Sequence, residues 1–442
     1  MQKDRILEVL SDWNLWKGRP ESGYPRTRHL EKVMRYLRSD RIVTIIGVRR
    51  AGKSFLLRQA AKKIAGKGDA SNVLIVNFED RRFDAPDLKL MEDIYETYVE
   101  RIRPSSRPLV LLYEVHILKG WERWVRTMNE LGKAKIVVSG STSNLISREL
   151  ATKLTGRHLD IEVLPLDFRE YLRFNGLELK DELDIIHHRS KIKGFLHQFM
   201  ENGGFPEITG SPAPAEALRI IYGDIIEKDI GQRYHLKKME DLRKLAKFYI
   251  TNFSALHTHS SVARWLGLTA VTAEKFSRYL QEVFLIFPVK RFSFSVKEQE
   301  HAPRKIYSID VGLSNAVGFR FSENIGRIAE NVVAIELKRR LLENPLLELY
   351  HWRDQYGKEV DFVVKDGERV IQLVQVCWDL DDQETKKREI GSLLKAMRLF
   401  GLKQGLVITE ELEDEEKVKG KKIIYRPLWK WLLDSSPSSE RG

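Results

Sequence analysis

The chain has 442 residues, 42% hydrophobic and 31% charged, and at roughly 150 residues per domain this predicts about three domains with buried cores. No apolar run is long enough to cross a bilayer, the charged opening MQKDRILEVLSDW has no signal-peptide core, and no membrane partner is expected. The lone Cys377 excludes an internal disulfide and a cysteine zinc cluster, fitting a cytoplasmic protein, while the net charge of +12 favours polyanionic partners, nucleic acid first.

Residues 1–40 are charged and aromatic, with a helix expected from His29 to Arg38. The apolar run Ile42–Ile46 then enters Gly47-Val48-Arg49-Arg50-Ala51-Gly52-Lys53-Ser54, followed by the helical stretch FLLRQAAKKIAG from Phe55. This is G-x-x-x-x-G-K-[ST] between a strand and a helix, the setting that gives the motif its meaning. Gly47 and Gly52 allow backbone N–H groups to close round phosphate oxygens, and the helix directs its positive end at the same anion. Lys53 would reach the β- and γ-phosphates and the Ser54 hydroxyl would ligate Mg²⁺, so residues 47–55 are the expected nucleotide site, with ATP and Mg²⁺ as cofactors.

A second strand is expected over Val73–Phe78, closed by Glu79 and Asp80. A helix follows over Met91–Ile102, then a third strand over Leu109–Leu112, a helix carrying Trp121 and Trp124, and a fourth strand over Lys135–Val138. Continuous apolar strands alternating with helices predict a parallel α/β sheet covered on both faces. The third strand ends in Tyr113-Glu114. Glu114 stands where a base could polarise an attacking water, but a neutral phenol occupies the preceding position, where an aspartate would help hold Mg²⁺; Asp80 is the alternative carboxylate. Ser139 and Ser141, in an expected turn after the fourth strand, suit either the γ-phosphate and water or plain turn and helix capping.

The stretches GVRRAGKSFLLRQ, NFED, LLYEVHILKGWERWV, VVSGSTSNLISRELATKLTGRHLDIEVLPLDFREYL and GGFPEI together resemble the archaeal and bacterial AAA+-like ATPases. Those proteins couple a P-loop core to a winged helix and a restriction-endonuclease-like C-terminal domain. The similarity runs from about Gly18 to Leu433. It implies a γ-phosphate-sensing role for Arg157, acting in cis or from a neighbouring subunit, and self-association into a homo-oligomer. In the family the third strand typically ends Asp-Glu, so Tyr113 is a departure that bears on hydrolysis more than on binding.

Beyond the core, Leu164 to Tyr234 reads as helical, with a sharp turn at Gly203-Gly204-Phe205-Pro206 that resembles the family's lid. An amphipathic helix over Asp241–Asn252, a second helix near Ser261–Leu266, a Gly267-Leu268 turn and a third helix capped near Thr269 or Thr272 have helix–turn–helix spacing. Strands near Phe287–Phe292 and Lys305–Ile309 could form a wing. Lys275 and Arg278 on the third helix, with Lys290 and Arg291 on the wing, are the candidate DNA phosphate contacts.

In the last part a helix carries Glu330, and Asp366-Gly367 separates two alternating strands as a hairpin would. Asp361 and Gln375-Val376-Cys377 stand where the PD-(D/E)xK nuclease pattern puts its metal-binding acid and its Glu-x-Lys, with a neutral amide and a thiol as substitutions. A two-residue Asp-Gly loop would pair Lys365 with Glu368 and turn Gln375 to the face opposite Asp361; a shared site needs a one-residue shift.

The expected divisions are an ATPase core over 1–165, a helical lid over 166–239, a winged helix over 240–322, a restriction-endonuclease-like domain over 323–433 and a disordered tail over 434–442. The expected function is ATP binding that drives domain rearrangement on DNA. A low-turnover regulatory switch for a protein partner is the alternative, and an active metal-dependent nuclease a third.

Overall fold

The computed structural model describes residues 1–18, 21–66, 69–140, 156–318, 325–380 and 382–434. The chain divides into two compact units, one ending at Leu164 and one starting at Pro165.

The first unit opens with helices α1 (Lys3–Trp13) and α2 (Thr27–Tyr36). It continues with β1 (Ile42–Ile46), α3 (Lys53–Ala65), β2 (Val73–Asn77), α4 (Leu88–Ile102), β3 (Leu109–Tyr113), α5 (Trp121–Glu130), β4 (Lys135–Gly140) and β5 (His158–Glu162). All five strands are parallel in the order β2-β3-β4-β1-β5. Every residue of β1 and β3 is buried, which is why they read as unbroken apolar runs.

Two elements lay outside the sequence reading. Helix α1 buries only Ile6, Val9 and Leu10, one narrow stripe among charges. Strand β5 has the half-polar sequence HLDIE, of which only Ile161 is fully covered. The lead-in also seals the β2 edge. Asn14, fully buried, donates from Nδ2 to the Ile75 carbonyl at 2.9 Å and accepts from the Ile75 N–H at 2.7 Å, so a side chain takes the place of a neighbouring strand.

The second unit begins with α6 (Phe168–Phe174), α7 (Glu182–His187), α8 (Arg189–Asn202) and α9 (Pro214–Asp224), which runs into a π-helical stretch over Ile225–Gln232. Next come α10 (Met239–Thr251), β6 (Ala255–His257), α11 (His259–Leu266), α12 (Ala270–Glu282), β7 (Ile286–Arg291), α13 (Val296–His301), β8 (Arg304–Ser308) and α14 (Val311–Val317). The turn between α11 and α12 has Gly267 at φ +68, and Thr269 caps α12 by accepting from the Thr272 N–H. The rest comprises α15 (Ile325–Glu343), β9 (Leu347–Arg353), β10 (Glu359–Asp366), β11 (Arg369–Val376), α16 (Gln383–Leu399), β12 (Gln404–Thr409), β13 (Asp414–Val418), β14 (Lys421–Pro427) and α17 (Leu428–Leu433).

These nine strands form one sheet in the order β13-β14-β12-β11-β10-β9-β7-β8-β6. The join is the short parallel pairing of Lys290 with Tyr350 and Arg291 with His351. The division expected at 322/323 therefore falls within one sheet, and it and the one expected at 239/240 both fall within one core. Phe168 and Phe199, Val289 and Tyr307, and Phe362 and Trp431 all belong to the same buried cluster.

The Gly203-Gly204 turn is locked inside this unit. The Asp310 carboxylate accepts from the Gly204 N–H at 2.7 Å, and a Cβ on Gly203, at φ +77, would sit 2.0 Å from Asp310 Oδ1.

The β10–β11 hairpin departs from the simple register. Asp366 pairs with Arg369 and Lys365 with Val370, so the loop is Gly367-Glu368, and a bulge at Val364/Lys365 then sets Val364 against Gln372 and Phe362 against Val374. The shift brings Asp361 level with Gln375, and the Asp361 N–H donates to Gln375 Oε1 at 3.2 Å.

Candidate functional site

The loop leaving β1 is shaped by its neighbour. A Cβ on Gly47 (φ +143) would lie 2.1 Å from the Val163 carbonyl oxygen, because the chain leaving β5 crosses directly over it. Arg50 (φ +67) and Gly52 (φ +94) both take left-handed conformations, the alternation that turns successive N–H groups into an anion-binding concavity at the start of α3. The Lys53 ammonium is buried and donates to the carbonyls of Gly47 and Val48, each at 2.9 Å, spanning the loop. Ser54 and Phe55 are exposed on the first turn of α3, while Val48 and Ala51 are buried and anchor the loop from behind.

Sequence reasoning missed the residue that braces this loop. Arg26 is 2% exposed, and its guanidinium donates to the Ala51 carbonyl at 2.8 Å and to the Leu164 carbonyl at 2.9 Å. Its N–H donates to Gln59 Oε1 on α3 at 3.0 Å. The only signal was an arginine beside a proline in a segment of no clear period.

Tyr113, Ser139 and Ile45 stand side by side across β3, β4 and β1. Glu114 and Gly47 thus leave the same edge of the sheet, two strand spacings or roughly 10 Å apart. Glu114 has φ +45, and its carboxylate lies 3.2 Å from Nδ1 of His116. Ser139, expected in a turn, is instead a β4 residue 2% exposed. Ser141 lies outside the described residues.

At the position of the missing aspartate, the buried Tyr113 hydroxyl donates to the Ser54 carbonyl at 2.8 Å, and burial raises its pKa. Asp80 is no substitute. Its oxygens accept from Arg82 at 2.7 and 3.0 Å and from Trp13 Nε1 at 2.8 Å, and the Arg82 bonds hold its pKa far below the usual carboxylate range. A Mg²⁺ bound here would depend on Ser54 and the phosphate oxygens, with Glu114 a carboxylate at the same edge.

Arg157 does not face the loop of its own chain. His158 pairs with Ile42, so Arg157 sits at the start of β5, by strand rise roughly 20 Å from Gly47 at the opposite edge, and it pairs with Glu130. A sensing role in cis is excluded by this placement.

Of the candidate DNA contacts, Lys275 and Arg278 are exposed on α12, Arg278 lying 3.7 Å from Glu282. On β7, Lys290 pairs with Glu300 at 2.5 Å and Arg291 donates to the Arg353 carbonyl at 2.6 Å, ties that accompany the unforeseen β7–β9 pairing. Glu330, Asp361 and Gln375 do come together in the second unit, at a site described below. Among the described residues no group of three histidine, cysteine or acidic side chains is disposed to hold a metal ion. None of their helices is long and apolar enough to cross a membrane.

Residues 39–172 match a family described as an AAA domain, and two domains of unknown function match residues 194–324 and 325–429. An uncharacterized protein of Methanocaldococcus jannaschii is 32% identical over 409 residues, covering 89% of this chain and 88% of that protein. One from Haemophilus influenzae is 28% identical over 419 residues, covering 92% and 98%. Among solved structures, a Walker-type ATPase of Pyrococcus abyssi is similar at 13% identity and a TM-score of 0.43, covering 66% of this chain and 95% of that one. The chain belongs to the family of the M. jannaschii protein, and its first unit is an AAA-type P-loop ATPase domain.

Proposed function

We propose that this protein binds MgATP in the Gly47–Ser54 loop and uses the nucleotide state to rearrange a DNA-contacting second unit. The observation that carries the reading is the loop itself: two left-handed residues at a helix N-terminus, a lysine spanning the turn, and Glu114 on the same sheet edge. In this reading the loop N–H groups and Lys53 hold the phosphates, Ser54 holds Mg²⁺, and Glu114 orients water. We read α10–α12 with β6, β8 and β7 as a winged helix whose Lys275 and Arg278 meet DNA phosphates, and β9–β12 with α15 and α16 as a restriction-endonuclease-like fold. Self-association of the chain is part of the same proposal.

A second reading, a slow switch that holds ATP and regulates a protein partner, is favoured by one pair of observations. Tyr113 stands where a magnesium-binding carboxylate would be, and Asp80 is engaged by Arg82 and Trp13. Both readings require MgATP binding that is lost in Lys53→Ala, measured by equilibrium titration with a fluorescent ATP analogue; unchanged affinity in that variant would sink them together. DNA titration separates them. The first requires binding at low salt that falls steeply as salt rises and weakens in Lys275→Ala/Arg278→Ala. Absence of binding to single- and double-stranded DNA at low salt leaves the switch.

A further inference from the structure

Lys305, on β8, is 3% exposed. Its ammonium lies 3.0 Å from Glu330 Oε1 on α15, and 2.9 Å from Asp361 Oδ1 and 2.5 Å from Glu359 Oε1 on β10. The ammonium donates hydrogen bonds to Glu330 and Asp361 and pairs by charge with Glu359, so three carboxylates surround it.

Further hydrogen bonds hold parts of this cluster in place. Glu330 Oε1 accepts from the Tyr307 hydroxyl at 2.7 Å, and Asp361 Oδ2 accepts from the Val376 N–H at 2.9 Å. Gln375 accepts from the Asp361 N–H and donates to Glu389 Oε2 at 2.7 Å. Cys377, at the lysine position of the nuclease pattern, is buried with its thiol pushed up to about 12 by burial, so it supplies no charge.

A carboxylate cage that serves a divalent ion must leave the ion's position open to water and to the substrate phosphate. Here a cation already occupies the centre of the cage and is covalently part of the chain. The ion pairs with Asp361, Glu330 and Glu359 offset the cost of burying its charge.

We infer that Lys305 is a built-in counter-ion standing in the place of a divalent metal, and that it closes the Glu330–Glu359–Asp361 cage to metal while pinning the helix–turn–helix half of the sheet to β10. This cage then supports no metal-dependent nuclease chemistry. The inference is independent of the phosphate loop, because every residue it uses lies in the second unit.

Mn²⁺ uptake by the nucleotide-free full-length protein, followed through the electron paramagnetic resonance signal of the free ion, tests it. The parent should show no saturable site that Asp361→Asn removes; such a site overturns the inference. Lys305→Ala should acquire one Mn²⁺ per chain and a higher unfolding midpoint when Mn²⁺ is added, both reversed by adding Asp361→Asn. A folded Lys305→Ala protein that takes up no Mn²⁺ also overturns it. Should Lys305→Ala not fold, the parent comparison still decides, and Lys305→Arg, which keeps the positive charge, should fold and remain metal-free. All folded variants should bind MgATP as the parent does.

Discussion

The Tyr113 hydroxyl and the Ser54 carbonyl are joined by a 2.8 Å hydrogen bond that ties the end of β3 to the first turn of α3. A phenol thus does structurally what it cannot do as a magnesium ligand. Tyr113→Phe should cost about 1 kcal/mol of stability and leave ATP affinity unchanged. Tyr113→Asp restores a carboxylate at the metal position and should raise MgATP turnover. A parent that already hydrolyses ATP briskly, with an aspartate variant no faster, would refute the assignment.

Arg26 joins the loop residue Ala51 to Leu164 from a fully buried position. Arg26→Ala leaves both carbonyls without that donor and should cost about 3 kcal/mol in denaturant titration, with ATP affinity falling in parallel. Loss of stability with undiminished affinity would show that the brace serves the fold alone.

Gly203 approaches Asp310 too closely for any side chain. Gly203→Ala adds a Cβ at 2.0 Å from a buried carboxylate oxygen, at a positive φ. The expected loss exceeds about 3 kcal/mol, read as a lowered unfolding midpoint or as insoluble protein.

Asp310 also makes stability depend on pH. Burial raises its pKa from 3.8 to about 6, against the Gly204 and Leu313 N–H bonds that favour its charge. The folded state holds the proton more tightly, so this contribution is complete below the unfolded value and is lost as pH rises through about 6. The full swing is at most about 3 kcal/mol. Relative to Asp310→Asn, the parent should lose stability between pH 4 and 7, measured by urea titration at each pH; parallel profiles would contradict the shift.

Cys377 should be inert. Its thiol is buried and its pKa pushed up to about 12, so iodoacetamide should label it only after unfolding.

The sequence carried the phosphate loop and four of the five parallel strands, because those strands are buried on both faces and their apolar runs have no competing period. It did not carry β5, where His158, Asp160 and Glu162 alternate with Leu159 and Ile161, and it hid α1 behind charges. The Asp366-Gly367 signal announced a hairpin but not its register, because the turn moved to Gly367-Glu368 and a bulge followed. Lys305 read as one more strand residue; nothing in a linear chain reveals that three carboxylates from distant segments converge on it. The two-residue seam between β7 and β9 is equally silent, since so short a pairing imposes no pattern.

That seam has a bearing on how the protein can be dissected. Strands contributed from either side of residues 319–324 complete one sheet and shield one interior, so a fragment ending there would present a raw strand border and an uncovered greasy face. Pieces of the second half should clump rather than fold when expressed alone.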